Sequence, residues 1–117
     1  MRRSLALLVL LSLAPAAAAH GVLDRTEPRA GASVKASPAH VRLWFTGALE
    51  PAYSRVQVFD AAGKRRDLGD ATVDPSNRAL LLVSVSALPP GSYRVVWRVL
   101  SVDSHVTEGQ FSFRVAS

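Results

Sequence analysis

The residues of this chain best equipped for chemistry are His20 and the run Asp103-Ser104-His105. A histidine at a chain N-terminus offers its α-amine and its imidazole as a chelating pair, and His20 becomes such a terminus if the chain is cut after Ala19. His105 would add a second imidazole and Asp103 a carboxylate. In a strand-like stretch two residues at this spacing project to the same side. Three nitrogens and one oxygen suit tetragonal Cu(II), which tops the affinity order for such donors. Zn(II) is the competitor, because imidazole and carboxylate serve it as well. Each signal alone is weak: an Asp-x-His in a loop is ordinarily a turn residue beside an exposed histidine. The combination carries the meaning, in a chain with only three histidines. The third, His40, follows Pro38 by two positions at a strand start and reads as an exposed edge histidine.

The site therefore depends on cleavage. Arg2 and Arg3 form a positive n-region, residues 5–13 are apolar except Ser12, and Ala14-Pro15 followed by four alanines supplies small residues for a peptidase. This is the pattern of a secretory signal, and its core is too short for an ordinary membrane span. Residues 1–19 are thus expected to leave as a signal peptide. Residues 20–117 remain as one small exported domain, and secretion itself creates the chelating terminus. No other stretch approaches the roughly 20 apolar residues of a spanning helix.

Composition narrows the classes further. The 49% hydrophobic content is inflated by the leader, and losing Arg2 and Arg3 lowers the formal net charge of +5 by two. Almost all the remaining basic residues are scattered arginines, apart from Lys64-Arg65-Arg66, which follows Gly63 and reads as a solvated hairpin loop. A basic stripe interleaved with aromatics is missing, which argues against nucleic acid. With no cysteine, the domain has no disulfide and no thiolate ligand, so any metal must use nitrogen and oxygen donors.

The elements that must position these donors read as strands. Val41, Leu43 and Phe45 alternate with His40, Arg42 and Trp44, and Val56 and Val58 alternate with Arg55, Gln57 and Phe59. Residues 80–85 form a denser apolar run, closed by Leu88-Pro89-Pro90-Gly91. Tyr93, Val95, Trp97 and Val99 share one face of a long strand, and Phe111, Phe113 and Val115 repeat the pattern. Turns are supplied by Ala61-Ala62-Gly63-Lys64 and Asp74-Pro75-Ser76-Asn77. No segment has helical periodicity. About seven short strands predict an all-β, immunoglobulin-like antiparallel β-sandwich with Greek-key connections.

Taken together, these segments resemble the CopC family of exported copper-binding β-sandwich proteins over nearly the whole mature chain. His20-Gly21-Val22-Leu23 is similar to that family's mature N-terminus, and Pro28-Arg29-Ala30-Gly31 to its Pro-x-x-Gly turn. Most specific is the long gapped agreement from Leu88-Pro89-Pro90-Gly91 through Trp97 to Ser101-Val102-Asp103-Ser104-His105, and on through Gly109, Phe111 and Phe113. The resemblance implies a Cu(II) site made by His20, Asp103 and His105, in a monomeric periplasmic copper buffer or carrier. An inner-membrane copper transporter is the partner it suggests. Three departures stand out. The methionine-rich Cu(I) site of some members has no counterpart, since the only methionine is Met1. Gly47 stands where some members carry an acidic residue, and Val106 where proline is common. Two other readings compete: a copper histidine-brace oxidative enzyme, disfavoured by the small domain and by Asp103 filling a coordination position, and a metal-free interaction module.

Overall fold

A computed structural model describes residues 22–117. The expected signal peptide, residues 1–19, and His20 lie outside these described residues. Eight strands follow in order: β1 (Leu23–Glu27), β2 (Ser33–Val34), β3 (His40–Phe45), β4 (Arg55–Asp60), β5 (Thr72–Asp74), β6 (Asn77–Ser84), β7 (Gly91–Leu100) and β8 (Val106–Val115). One turn of 3-10 helix at Pro51–Tyr53 precedes β4. The strands form two four-stranded sheets, ordered β1-β3-β6-β5 and β2-β8-β7-β4. All pairings are antiparallel except the two-residue β2, which runs parallel to β8. The expected all-β sandwich is what the chain forms, with one strand more than the periodicity predicted. The short β1, β2 and β5 are the strands for which no alternation was read.

The alternation read from the sequence is the alternation of burial. Val41, Leu43 and Phe45 of β3 face Leu81 and Val83 of β6 on one inner wall. Val56 and Val58 of β4, with Tyr93, Val95, Trp97 and Val99 of β7, make the other. Side chains two apart share a face, so one strand supplies both a core wall and a solvated surface. Burying these aliphatic and aromatic groups is the main favourable term, at about 1.5–3 kcal/mol for each large side chain taken fully out of water. Trp97 meets Phe45 edge-on across the core at 5.2 Å, and Tyr93 stacks on Phe113 at 5.6 Å. Opposite Trp97 stands Gly109 of β8, where a Cβ would fall 2.8 Å from the indole Cζ2. Glycine is needed there because the indole fills the space a side chain would take.

Two expectations need correcting. His40 opens β3 and pairs with Ser84 of β6, beyond the reach of β1, whose pairing stops at Arg42; it is half-buried where an exposed residue was expected. Lys64-Arg65-Arg66 does sit in a loop, but only Lys64 is simply solvated. Arg65 pairs with Asp67 at 2.8 Å and Arg66 with Asp60 at 3.0 Å, so two of the three charges are used to hold the loop.

Candidate metal centre

The β7–β8 hairpin is closed by residues 101–105, at the end of the sandwich where β3 finishes and β4 begins. Ser101 organises this connection. Its backbone N–H donates to the His105 carbonyl at 2.9 Å, and the Ser104 N–H donates back to the Ser101 carbonyl at 2.9 Å. The buried Ser101 Oγ accepts from the His105 N–H at 3.2 Å and donates to Asp103 Oδ1. Ser104 takes φ +75°, the left-handed region that few non-glycine residues enter, and this reverses the chain between the two candidate ligands.

The result is a close pair. Asp103 Oδ1 and His105 Nδ1 lie 3.2 Å apart, with side chains 35% and 52% exposed. The expectation that strand alternation aligns them is corrected: a tight turn brings them together, and β8 begins only at Val106. The separation has chemical meaning. Two donors each about 2 Å from one ion sit roughly 2.8–3.3 Å apart for angles between square and tetrahedral, a range that includes this separation.

A second segment ties this loop to the N-terminal end of the described chain. Residues 46–50 leave β3, and the Thr46 N–H donates to the Val22 carbonyl at 2.9 Å while Thr46 Oγ1 accepts from the Val22 N–H at 3.1 Å. Two residues on, the Ala48 carbonyl accepts from the Val102 N–H at 3.0 Å, Leu49 pairs with Ser101, and the Glu50 N–H donates to the Leu100 carbonyl at 2.8 Å. One short segment therefore grips both the start of β1 and the 101–105 loop. Gly47, half-buried between these contacts, brings no donor of its own.

Of the sequence-predicted ligands, Asp103 and His105 meet, and His20 lies outside the described residues. Among the described residues no group of three histidine, cysteine, aspartate or glutamate side chains could hold a metal by itself. His40 lies at the far end of β3, about 17 Å along the strand from Phe45, and takes no part. Sequence reasoning missed Ser101 and Thr46. Neither hydroxyl carries a signal of its own, since both act through pairings visible only in the folded chain.

With fold and geometry in place, comparison with known proteins defines the class and then the family. The sandwich superposes on the crystal structure of CopC from Methylosinus trichosporium OB3b with a TM-score of 0.77 and 38% identity, covering 83% of this chain and 94% of that one. PcoC, a methionine-rich copper resistance protein from Escherichia coli, gives 0.70 and 28%, covering 83% and 99%. Among curated proteins, YobA of Escherichia coli K12 is 30% identical over 98% of this chain and 94% of its own length. Copper resistance protein C of Xanthomonas campestris pv. juglandis is 32% identical over 92% and 90%. The CopC domain profile matches residues 23–116, and the chain belongs to the CopC family. None of these relatives is named as an enzyme, and two of them are named as copper resistance proteins. No helix among the described residues is long and apolar enough to cross a membrane.

Proposed function

We propose that this protein is an exported Cu(II)-binding protein whose single site comprises the amine and imidazole of His20, the carboxylate of Asp103 and the imidazole of His105. The observation that carries this reading is the shared grip of residues 46–50 on Val22 and on Val102. His20 is two residues from Val22, within about 7 Å of chain, and Val102 adjoins Asp103. A chelating terminus thus needs little reach to join a pair of donors already spaced for one ion. Nitrogen and oxygen donors favour Cu(II), whereas soft Cu(I) prefers sulfur. PcoC is described as methionine-rich, while this chain has one methionine, Met1, and no cysteine.

The role that follows is buffering or carrying oxidised copper in the periplasm. A transporter partner is supported by CutJ of Bacillus subtilis, a copper transport protein: 93% of this chain matches only 20% of CutJ's length, at 26% identity. The same kind of domain thus occurs as one part of a larger transport protein.

The competing reading is a metal-free interaction module. N-terminal sequencing of the exported protein, then Cu(II) titration and electron paramagnetic resonance on that material, decides between them. Cleavage before His20 and a nitrogen-rich tetragonal spectrum are expected, with a large loss of affinity when the terminus is acetylated or extended. Undiminished affinity after acetylation would sink the site. A melting temperature unmoved by stoichiometric Cu(II) would favour the metal-free module, because a ligand specific for the folded state must stabilise it.

A further inference from the structure

The outer faces of the two sheets carry their arginines differently. On the β1-β3-β6-β5 sheet, Arg42 stands directly opposite Glu27, and Arg25 lies over the Trp44 ring at 3.8 Å. On the β2-β8-β7-β4 sheet, Arg55 of β4 stands directly opposite Arg98 of β7. Like charges facing each other across a strand pair are unfavourable, so this arrangement is no stabilising device. Arg98 has an exposed partner in Glu108 at 3.1 Å, a kind of surface pair worth little, and among the described residues Arg55 has none.

The next row toward the candidate metal loop is apolar. Leu100 pairs with Val106 beside the arginines, and Tyr53 flanks them on the turn before β4. Val106 is 52% exposed and Tyr53 69%. Together Ala52, Tyr53, Arg55, Arg98, Leu100 and Val106 line a groove of about 200 Å³. That is smaller than the roughly 300–1,000 Å³ of sites for free organic ligands, and matches one or two side chains of a peptide. Two arginines and an exposed aromatic along one groove are the composition of an interface centre, where tyrosine and arginine are enriched. The recess is concave and its charge lies beside its apolar row, which fits a protruding chain better than a flat bilayer.

We infer that this groove docks an acidic segment of a partner protein, seating a carboxylate on Arg55 beside Arg98 and an apolar side chain against Tyr53, Leu100 and Val106. The groove itself stands on charge and shape. Only its consequence, that the docked partner lies one hairpin turn from the bound copper, rests on the function proposed above. A carboxylate there gives Arg55, which has no partner among the described residues, a charge-assisted contact, the planar guanidinium fork favouring bidentate capture, and it competes with the exposed Glu108 for Arg98.

The test uses the exported protein and a synthetic peptide alternating Asp or Glu with Leu or Phe, against a control in which Asn and Gln replace the acids. Amide resonances at Tyr53, Arg55, Arg98 and Val106 should move with the acidic peptide, and calorimetric affinity should fall with added salt. The amide control and the Arg55→Glu/Arg98→Glu double variant should each bind about tenfold more weakly or worse. If the double variant proves unstable, Arg55→Glu alone, which sets a carboxylate opposite Arg98, should give the same loss. Equal binding of acidic and amide peptides, or no movement at these four residues, overturns the inference. Vesicles of phosphatidylglycerol moving these resonances while the peptide does not would also overturn it, making the face a membrane surface. Cu(II) affinity should stay within roughly twofold in both arginine variants, since separate sites are nearly additive. Peptide binding without copper binding would sink the copper reading and leave the groove standing; copper binding without peptide binding would do the reverse.

Discussion

The two ends of the sandwich build their loops from the same materials and spend them differently. At the end remote from the candidate metal centre, Asp67 accepts from the Val58 N–H at 2.9 Å, the Gly69 N–H at 3.1 Å and Arg65 through both carboxylate oxygens. Its side chain has no solvent exposure. Asp60 accepts from the Ala62 and Lys64 N–H groups, each at 2.9 Å, and from Arg66. These carboxylates are committed to backbone amides. At the near end Ser101 does the organising, while Asp103 and His105 meet each other with their side chains partly in water. A loop built for stability consumes its donors and acceptors; a loop built for a ligand is held by a neighbour and keeps its functional groups accessible.

The largest effect that could break this comparison is on the metal. His105→Ala should lower Cu(II) affinity by at least about a hundredfold, since losing even a partner outside the ligand set commonly costs ten- to a hundredfold. Its melting temperature without metal should barely move, because the side chain is half exposed. A titration with unchanged affinity would remove the near end's claim to a ligand. Asp67→Ala is the converse experiment. It strands the Val58 and Gly69 amides and the Arg65 guanidinium, and should cost about 2–3 kcal/mol in urea unfolding. Copper affinity should be untouched, and a joint loss of both would mean that the two ends are not separable.

Ser101→Ala sharpens the comparison, with a smaller effect that falls on both properties. Removing the hydroxyl takes a hydrogen bond from the His105 N–H and one from Asp103, which should cost about 1 kcal/mol of stability. It should also cost roughly tenfold in copper affinity through loosened ligands. Loss of stability with copper affinity unchanged would show that the turn holds without the serine.

How much of this the sequence carried depends on whether a residue's role is local. The strands β3, β4 and β7 were legible because each has one buried and one solvated face, so their periodicity is written in residue type. The start of β8 was not. Val106, Glu108 and Gln110 face outward, and Thr107 and Gly109 face the core without an apolar signature, so the strand is set by pairing with β7. Asp103 and His105 were legible as donors from residue type, but their meeting through a left-handed Ser104 was not. Nor was the grip of residues 46–50 on Val22 and Val102, which joins positions far apart in the chain. Asp67 lay hidden for the same reason: nothing beside it in sequence says that its carboxylate will accept from the Val58 N–H in the middle of β4.

The smallest expected effect comes from acid, and it separates the ends without mutation. Hydrogen bonding holds several remote-end carboxyls below their ordinary range: Asp60 by the Lys64 N–H and then by Arg66, Asp70 by the Ser84 hydroxyl and N–H. At Asp67 burial pulls upward, and the bonds from Arg65, Val58 and Gly69 outweigh it. A carboxyl whose folded value is depressed binds its proton more readily when unfolded. Its stabilising contribution is therefore present above the unfolded value near 3.8 and is lost as pH falls through the lower folded value. The metal-free melting temperature should accordingly stay level from neutral pH down to about pH 5 and decline only below about 4. Copper should leave earlier, because protons compete for amines and imidazoles, groups that as a class titrate above carboxylates. Parallel pH series of copper affinity and melting temperature check this. Coincident midpoints would mean that copper release is merely unfolding, whereas separated midpoints would show the near end emptying while the remote end still holds.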